Sequence, residues 1–285
     1  MHIFKYIAFY FSILSIGLSF QTVKAQSETP KGKLVIIGGG SRPSSMIDRI
    51  IKESGIDKAG YGVILPMSSS EPDSAVYYAK IQFKEKGLDN VVGLDFKKDE
   101  VLKASKIDSL KSAALIYISG GDQNRFMDVA GGNDIEKAIH EAYKSGSIVA
   151  GTSAGAAVMS EKMITGNELK YPDYSSTFRN IEANNIEIKK GLGLISNVII
   201  DQHFVKRSRY NRLISAVIEH PIDLGIGIDE STAIIVDGRN IEVIGESQVV
   251  LISNTEKRKT EFKDKVAAKN IKLDLYLPNQ TFTLK

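Results

Sequence analysis

The chain has 285 residues, 42% hydrophobic and 25% charged, the balance of a folded protein with a sizeable core. A net charge of +3 is too small to mark a nucleic-acid or anionic-membrane binder. The absence of cysteine excludes disulfides, a thiolate nucleophile and zinc sites built on cysteine.

The first residues read as a targeting segment. Lys5 precedes an uncharged apolar run, Tyr6 to Phe20, and Val23-Lys24-Ala25 has the small-residue spacing of a cleavage site before Gln26. The run is shorter than the roughly 20 apolar residues of a membrane span. Residues 1–25 are therefore expected to be a cleaved signal peptide, with the mature chain periplasmic or extracellular and not inserted in a membrane. Residues 26–285 are expected to form one domain.

Leu34 to Ile37 is an apolar strand ending in Gly38-Gly39-Gly40, and Met46, Ile47, Ile50 and Ile51 repeat at helical spacing after it. Val63 to Leu65 is a second strand, Ala75 to Phe83 a helix, Val91 to Phe96 a third strand, and Glu100 to Lys111 a weaker helix. Leu115 to Ile118 runs into Ser119-Gly120-Gly121-Asp122-Gln123. Ile135 to Lys144 is helical, and Ile148 to Ala150 is the fifth strand. Strands without polar alternation, separated by helices, predict an α/β fold with a mainly parallel sheet covered on both faces. Ligands in such sheets sit beyond the carboxyl ends of the strands, so the three glycine-rich turns should share one edge. Glu161 to Lys190 is polar and carries no clear period. Val198 to Ile200 is a strand, followed by a helix to about Glu219. The short runs Leu224 to Ile228, Ala233 to Val236, Ile241 to Ile244 and Val249 to Ile252 predict added antiparallel strands. The tail from Glu256 is unassigned.

Gly151-Thr152-Ser153-Ala154-Gly155 fits G-x-S-x-G, a sharp strand-to-helix turn that exposes a serine hydroxyl. A hydroxyl is a weak nucleophile until a base takes its proton. Of the four histidines, His2 lies in the targeting segment, His140 within a helix leading to the opposite sheet edge, and His220 at a helix end before Pro221. His203 follows a buried strand directly and is the natural base. Asp201, Glu168, Asp229 and Glu230 are all candidates for the orienting acid, and spacing does not choose among them.

Taken together, "GTSAGAAVMS", "MI", "GLGL", "IDQHFVKRSRYNRL" and "GIGIDESTA", with "SGGDQNR" and the opening "GGGS", resemble the cyanophycinase and aspartyl dipeptidase family of serine peptidases. The matching blocks span about Leu34 to Val250. The resemblance implies a fold like class I glutamine amidotransferases with serine in place of cysteine, residues 26–285 forming one catalytic domain. It implies a triad of Ser153, His203 and, from its place soon after Met163-Ile164, Glu168. Backbone N–H groups of Ala154 and of Gly120 or Gly121 would form the oxyanion hole. Gln123, Asp201, Gln202, Arg207, Arg209 and Arg212 would contact substrate, with Arg209 and Arg212 on the polar face of the helix after His203. The implied substrate is cyanophycin or a similar peptide polymer, a poly-aspartate carrying arginine on each side-chain carboxyl, released as β-Asp-Arg. Cleavage of free Asp-X dipeptides, or ligand binding without catalysis, are the competing readings. No metal or organic cofactor and no nucleic acid is implied, and a homodimer is possible.

Overall fold

The computed structural model describes residues 29–284, so the expected signal peptide lies outside the described residues. In chain order the elements begin β1 (Leu34–Ile37), α1 (Ser44–Ser54), β2 (Gly62–Leu65), α2 (Pro72–Lys84), β3 (Val91–Gly93), α3 (Ala104–Lys111) and β4 (Leu115–Ile118). Next come α4 (Gln123–Ala130), α5 (Asp134–Ser145), β5 (Ile148–Thr152), α6 (Ala154–Ala157), β6 (Lys162–Glu168), β7 (Ile186–Lys190), β8 (Val198–Gln202) and α7 (Tyr210–Glu219). The chain ends with β9 (Leu224–Ile228), β10 (Thr232–Asp237), β11 (Asn240–Gly245), β12 (Val249–Asn254), β13 (Thr260–Phe262), β14 (Lys265–Ala267), β15 (Ile271–Tyr276) and β16 (Thr281–Thr283).

The main sheet has the order β16-β11-β10-β1-β5-β4-β2-β3. Its β1, β5, β4, β2 and β3 are parallel, as their continuous apolar sequence predicts, and β10, β11 and β16 extend it antiparallel. A second sheet, β15-β12-β9-β8, is mixed. In it β9 pairs antiparallel with β12, as expected, and parallel with β8 on its other side. The tail past Glu256 supplies one edge strand of each of these two sheets, β16 and β15, and the β13–β14 hairpin. The polar stretch with no readable period holds the two-stranded β6–β7 sheet, paired with a register shift between Ile164 and Glu168.

Side-chain alternation along the strands assigns the layers. Val35, Ile37, Ile64, Tyr117 and Ala150 face α1 and α2, where Met46, Ile47, Ile50 and Phe83 meet them. Leu34, Ile36, Ile116, Ile118 and Val149 face the other way, toward α5, α6 and the inner side of the second sheet. The outer side of that sheet, Ile199, Val250 and Ile252, is covered by Leu213, Ala216 and Val217 of α7. Each fully buried aliphatic side chain contributes roughly 1.5–3 kcal/mol to this stack. The second sheet is pinned to the first at the site edge: the His203 N–H donates to the Gly38 carbonyl at 2.6 Å and the Ser231 N–H to the Gly39 carbonyl at 2.9 Å.

Candidate active site

Ser153 sits between β5 and α6 with φ 54° and ψ −110°, a conformation sparsely populated by residues with a side chain. Packing leaves no room to relax it. A Cβ on Gly151 would lie 2.3 Å from the Gly155 carbonyl oxygen, and one on Gly155 would lie 2.3 Å from that of Ile118. The two glycines thus permit the close approach of turn, helix and β4 that pushes the serine outward. The first turn of α6 begins at Ala154, whose N–H has no carbonyl four residues back within the helix. Gly120 lies beside the serine, a Cβ there reaching 3.9 Å from Ser153 Oγ, while Gly121 packs its α-carbon against the Ser68 carbonyl.

The structure brings His203 to the serine across the two sheets. His203 Nε2 is 2.9 Å from Ser153 Oγ, and Nδ1 is 2.6 Å from Glu230 Oε1. Because the carboxylate can only accept, Nδ1 carries the proton and Nε2 accepts from the serine hydroxyl. The ring is flush against the first glycine turn: a Cβ on Gly39 would fall 2.4 Å from its Cε1. Burial lowers the imidazole below its ordinary value, the hydrogen bond to Glu230 opposes this, and the charges of Arg207 and Arg209 lower it further. The arrangement can move the serine proton to the ring and hold the imidazolium that results.

Glu168 is not the partner of His203. It lies at the end of β6, where its Oε1 accepts from Asn185 Nδ2 at 2.8 Å. The acid beside the imidazole is Glu230, from the turn after β9, a position accessible because β8 and β9 are parallel neighbours whose carboxyl ends emerge together. Asp229, next to it, ties the turn in place: its Oδ1 accepts from the Lys206 N–H at 2.8 Å and its Oδ2 from Ser247 Oγ at 2.7 Å. The signal in the sequence was the acidic pair closing a buried strand, which spacing alone could not rank above Glu168.

Several expected substrate contacts are occupied within the protein. Asp201 is buried and takes both Arg212 Nε, at 2.8 Å, and Arg212 Nη2. Arg209 Nη1 donates to the Gln202 carbonyl at 2.6 Å and to Gln202 Oε1 at 2.7 Å. Arg209 and Arg212 therefore do not line a polar helix face. α7 starts only at Tyr210, Arg209 precedes it, and the helix buries Arg212 along with its apolar stripe because Asp201 needs a counter-charge. The Arg212 guanidinium also lies 5.0 Å from the centre of the Phe178 ring. Gln123 is buried too, with Nε2 donating to the Ile164 and Thr165 carbonyls at 2.9 and 2.5 Å. Arg207 is half-buried, near enough to His203 for its charge to act on the ring.

A cavity of about 240 Å³ opens over Ser153 and His203, on the α1–α2 side of the main sheet and not toward α7. Its walls include Gly39, Gly40, Arg42, Tyr78, Tyr117, Gly120 and Thr152. Among the described residues no group of His, Asp and Glu is placed to hold a metal ion, and no helix is long and apolar enough to cross a membrane.

Residues 34–244 match peptidase family S51. A cyanophycinase from Nostoc sp. (strain PCC 7120) is 34% identical over 248 residues, covering 83% of this chain and 79% of its own length. A cyanophycinase from Synechococcus elongatus is 30% identical over 272 residues, covering 90% and 80%. Among solved structures, a peptidase from an acI-B1 Actinobacterium superposes with a TM-score of 0.62 at 21% identity, over 90% of this chain and 98% of its own. At that identity the likeness speaks to the fold. The matched span contains Ser153, His203 and Glu230, and with 34% identity over most of the chain it settles membership: this protein belongs to peptidase family S51 and is a serine-type peptidase.

Proposed function

We propose that the protein is an exported cyanophycinase that works through a Ser153–His203–Glu230 triad and an acyl-enzyme. The observation that carries the reading is the continuous hydrogen-bonded line from the Ser153 hydroxyl through the His203 ring to the Glu230 carboxylate, opening on a cavity. In this reading His203 takes the hydroxyl proton as Ser153 Oγ attacks the scissile carbonyl. The oxyanion is met by the Ala154 N–H and one from the Gly120–Gly121 turn. His203 then returns the proton to the leaving amine, and water, activated by the same ring, releases the acyl group. Glu230 fixes the tautomer throughout. The polymer as substrate is supported by the 34% identical relatives named cyanophycinase, and export by the uncharged run Tyr6–Phe20.

The test is incubation of residues 26–285 with cyanophycin. Release of β-Asp-Arg, insensitive to chelator and lost in Ser153→Ala, is expected; undiminished release by Ser153→Ala overturns the reading. A second reading, hydrolysis of free Asp-X dipeptides, is favoured by the small cavity and by the engagement of Arg209 and Arg212 with Asp201 and Gln202. It displaces the first if dipeptides are cleaved with higher kcat/KM than the polymer.

The depressed imidazole gives a pH prediction. The free ring must be neutral to act as base, so the acid limb of kcat/KM should fall below the ordinary histidine value of about 6.5. Arg207→Ala removes a positive charge that disfavours protonation, so the limb should move to higher pH. A pH–rate series on the two proteins checks it, and an unmoved or downward-shifted limb contradicts the assignment of that limb to His203.

A further inference from the structure

We propose that Ser68, outside the triad and closed off from substrate, is a positioning residue for catalysis: its hydroxyl and its carbonyl clamp the Ser119–Asp122 turn so that the Gly120 N–H faces Ser153. The inference concerns the serine-peptidase chemistry itself and is the same for either substrate reading.

Ser68 lies in the turn after β2, two strands from Ser153 in the sheet order β5-β4-β2, and is fully buried. Its Oγ donates to the Ser119 carbonyl at 2.7 Å and lies 3.2 Å from Ser119 Oγ. Its own carbonyl accepts from the Asp122 N–H at 2.8 Å and from Arg125 Nη1 at 3.2 Å. One residue thus holds both ends of the turn that follows β4. The approach is close: a Cβ on Gly121 would fall 2.1 Å from the Ser68 carbonyl oxygen, and Gly121 has φ 138°, so the contact requires glycine.

Peptide planarity carries this contact to the site. In a trans peptide the C=O and the N–H of the next residue point in opposite directions. Ser68 Oγ holds the Ser119 carbonyl toward β2, and the Ser119 N–H points the same way, donating to the Leu65 carbonyl at 3.1 Å. The Gly120 N–H is therefore sent the other way, toward β5, whose end carries Ser153. Gly120 lines the cavity, and a Cβ on it would lie 3.4 Å from Ser153 Cβ. Among the described residues no backbone carbonyl accepts from the Gly120 N–H. A donor fixed in this way stabilises an oxyanion because it needs no reorganisation as charge develops. Without the Ser68 hydroxyl the Ser119 carbonyl loses the donor that fixes it, and two successive glycines let the peptide plane rotate.

The test is the second-order rate at which a fluorophosphonate probe labels Ser153, since its phosphoryl oxygen gains negative charge as a scissile carbonyl oxygen does. Ser68→Ala should label about 10–10²-fold more slowly than the wild type, somewhat less than the loss from deleting an oxyanion donor outright. The acid limb of the labelling rate against pH should stay at its wild-type position, because the Ser68 hydroxyl bonds to Ser119 and not to the His203 ring. On whichever of cyanophycin and Asp-X dipeptides the wild type cleaves, kcat should fall by a similar factor with KM within about twofold. Arg125 is exposed, so Arg125→Met leaves the core intact; it should slow labelling about 2–5-fold in the same pattern, the scale of one lost hydrogen bond. Labelling of both variants at the wild-type rate, or a loss carried by KM or by a moved pH limb, overturns the proposal alone. If Ser68→Ala does not fold, Arg125→Met decides it, an unchanged rate overturning the proposal. A wild type that does not label overturns it together with the hydrolase reading.

Discussion

Glu230→Gln should lower kcat about 10³–10⁴-fold with the fold intact, the scale set when the acid that orients a catalytic imidazole in other serine hydrolases is made neutral. The amide can offer its N–H₂ to Nδ1, which would then accept and leave the proton on Nε2, the nitrogen that must receive the serine proton. Glu168→Gln should leave kcat/KM within about threefold, because Glu168 accepts a hydrogen bond from Asn185 and has no contact with the ring. Combining Glu230→Gln with Ser153→Ala should cost little more than Ser153→Ala alone, since the residues act as a unit. Steady-state kinetics on one peptide substrate decide it. A large loss in Glu168→Gln with a small one in Glu230→Gln would reverse the assignment.

Asp201→Ala should destabilise the protein by about 3–5 kcal/mol, the penalty of removing one partner from a buried ion pair. Arg212 would lose both of its carboxylate contacts and Arg209 a carboxylate 3.7 Å away, and both guanidiniums are buried. Burial and the neighbouring Arg212 charge already lower the Arg209 guanidinium, with Asp201 opposing them, so the loss of Asp201 falls on a strained pair of cations. Replacing Asp201 and Arg212 together by leucine and methionine should recover much of the loss, because an apolar pair of similar volume avoids the desolvation cost. Urea unfolding of the wild-type protein and the two variants measures this. A residue that only contacts substrate would show a raised KM with unchanged stability. That outcome would return Asp201 to the role its sequence context implied.

The same residues show where sequence is informative. Uninterrupted β-branched strands and helical periodicity placed β1, β2, β4, β5, α1 and α5, since burial on both faces of a parallel sheet leaves a one-dimensional trace. The glycines flanking Ser153 and the position of His203 after a buried strand were legible for the same reason: the turn and the strand end are local, and the rule that ligands gather at carboxyl strand ends is topological. By contrast, β6 and β7 form from a polar segment whose paired residues lie 18 to 28 positions apart, from Glu168↔Ile186 to Lys162↔Lys190, and β15 and β16 acquire their place only by docking on β12 and β11.

The sequence by itself determined an α/β fold with one reactive-serine turn and one histidine able to serve it, because both depend on local backbone geometry and strand order. Which carboxylate meets the imidazole, and which way the cavity opens, were decided only in three dimensions. Glu230 prevails over Glu168 because β9 lies parallel beside β8 and delivers its end to the ring. Arg209 and Arg212 are drawn inward because a buried Asp201 must be neutralised, and that requirement depends on burial, which no spacing of charges along a chain encodes.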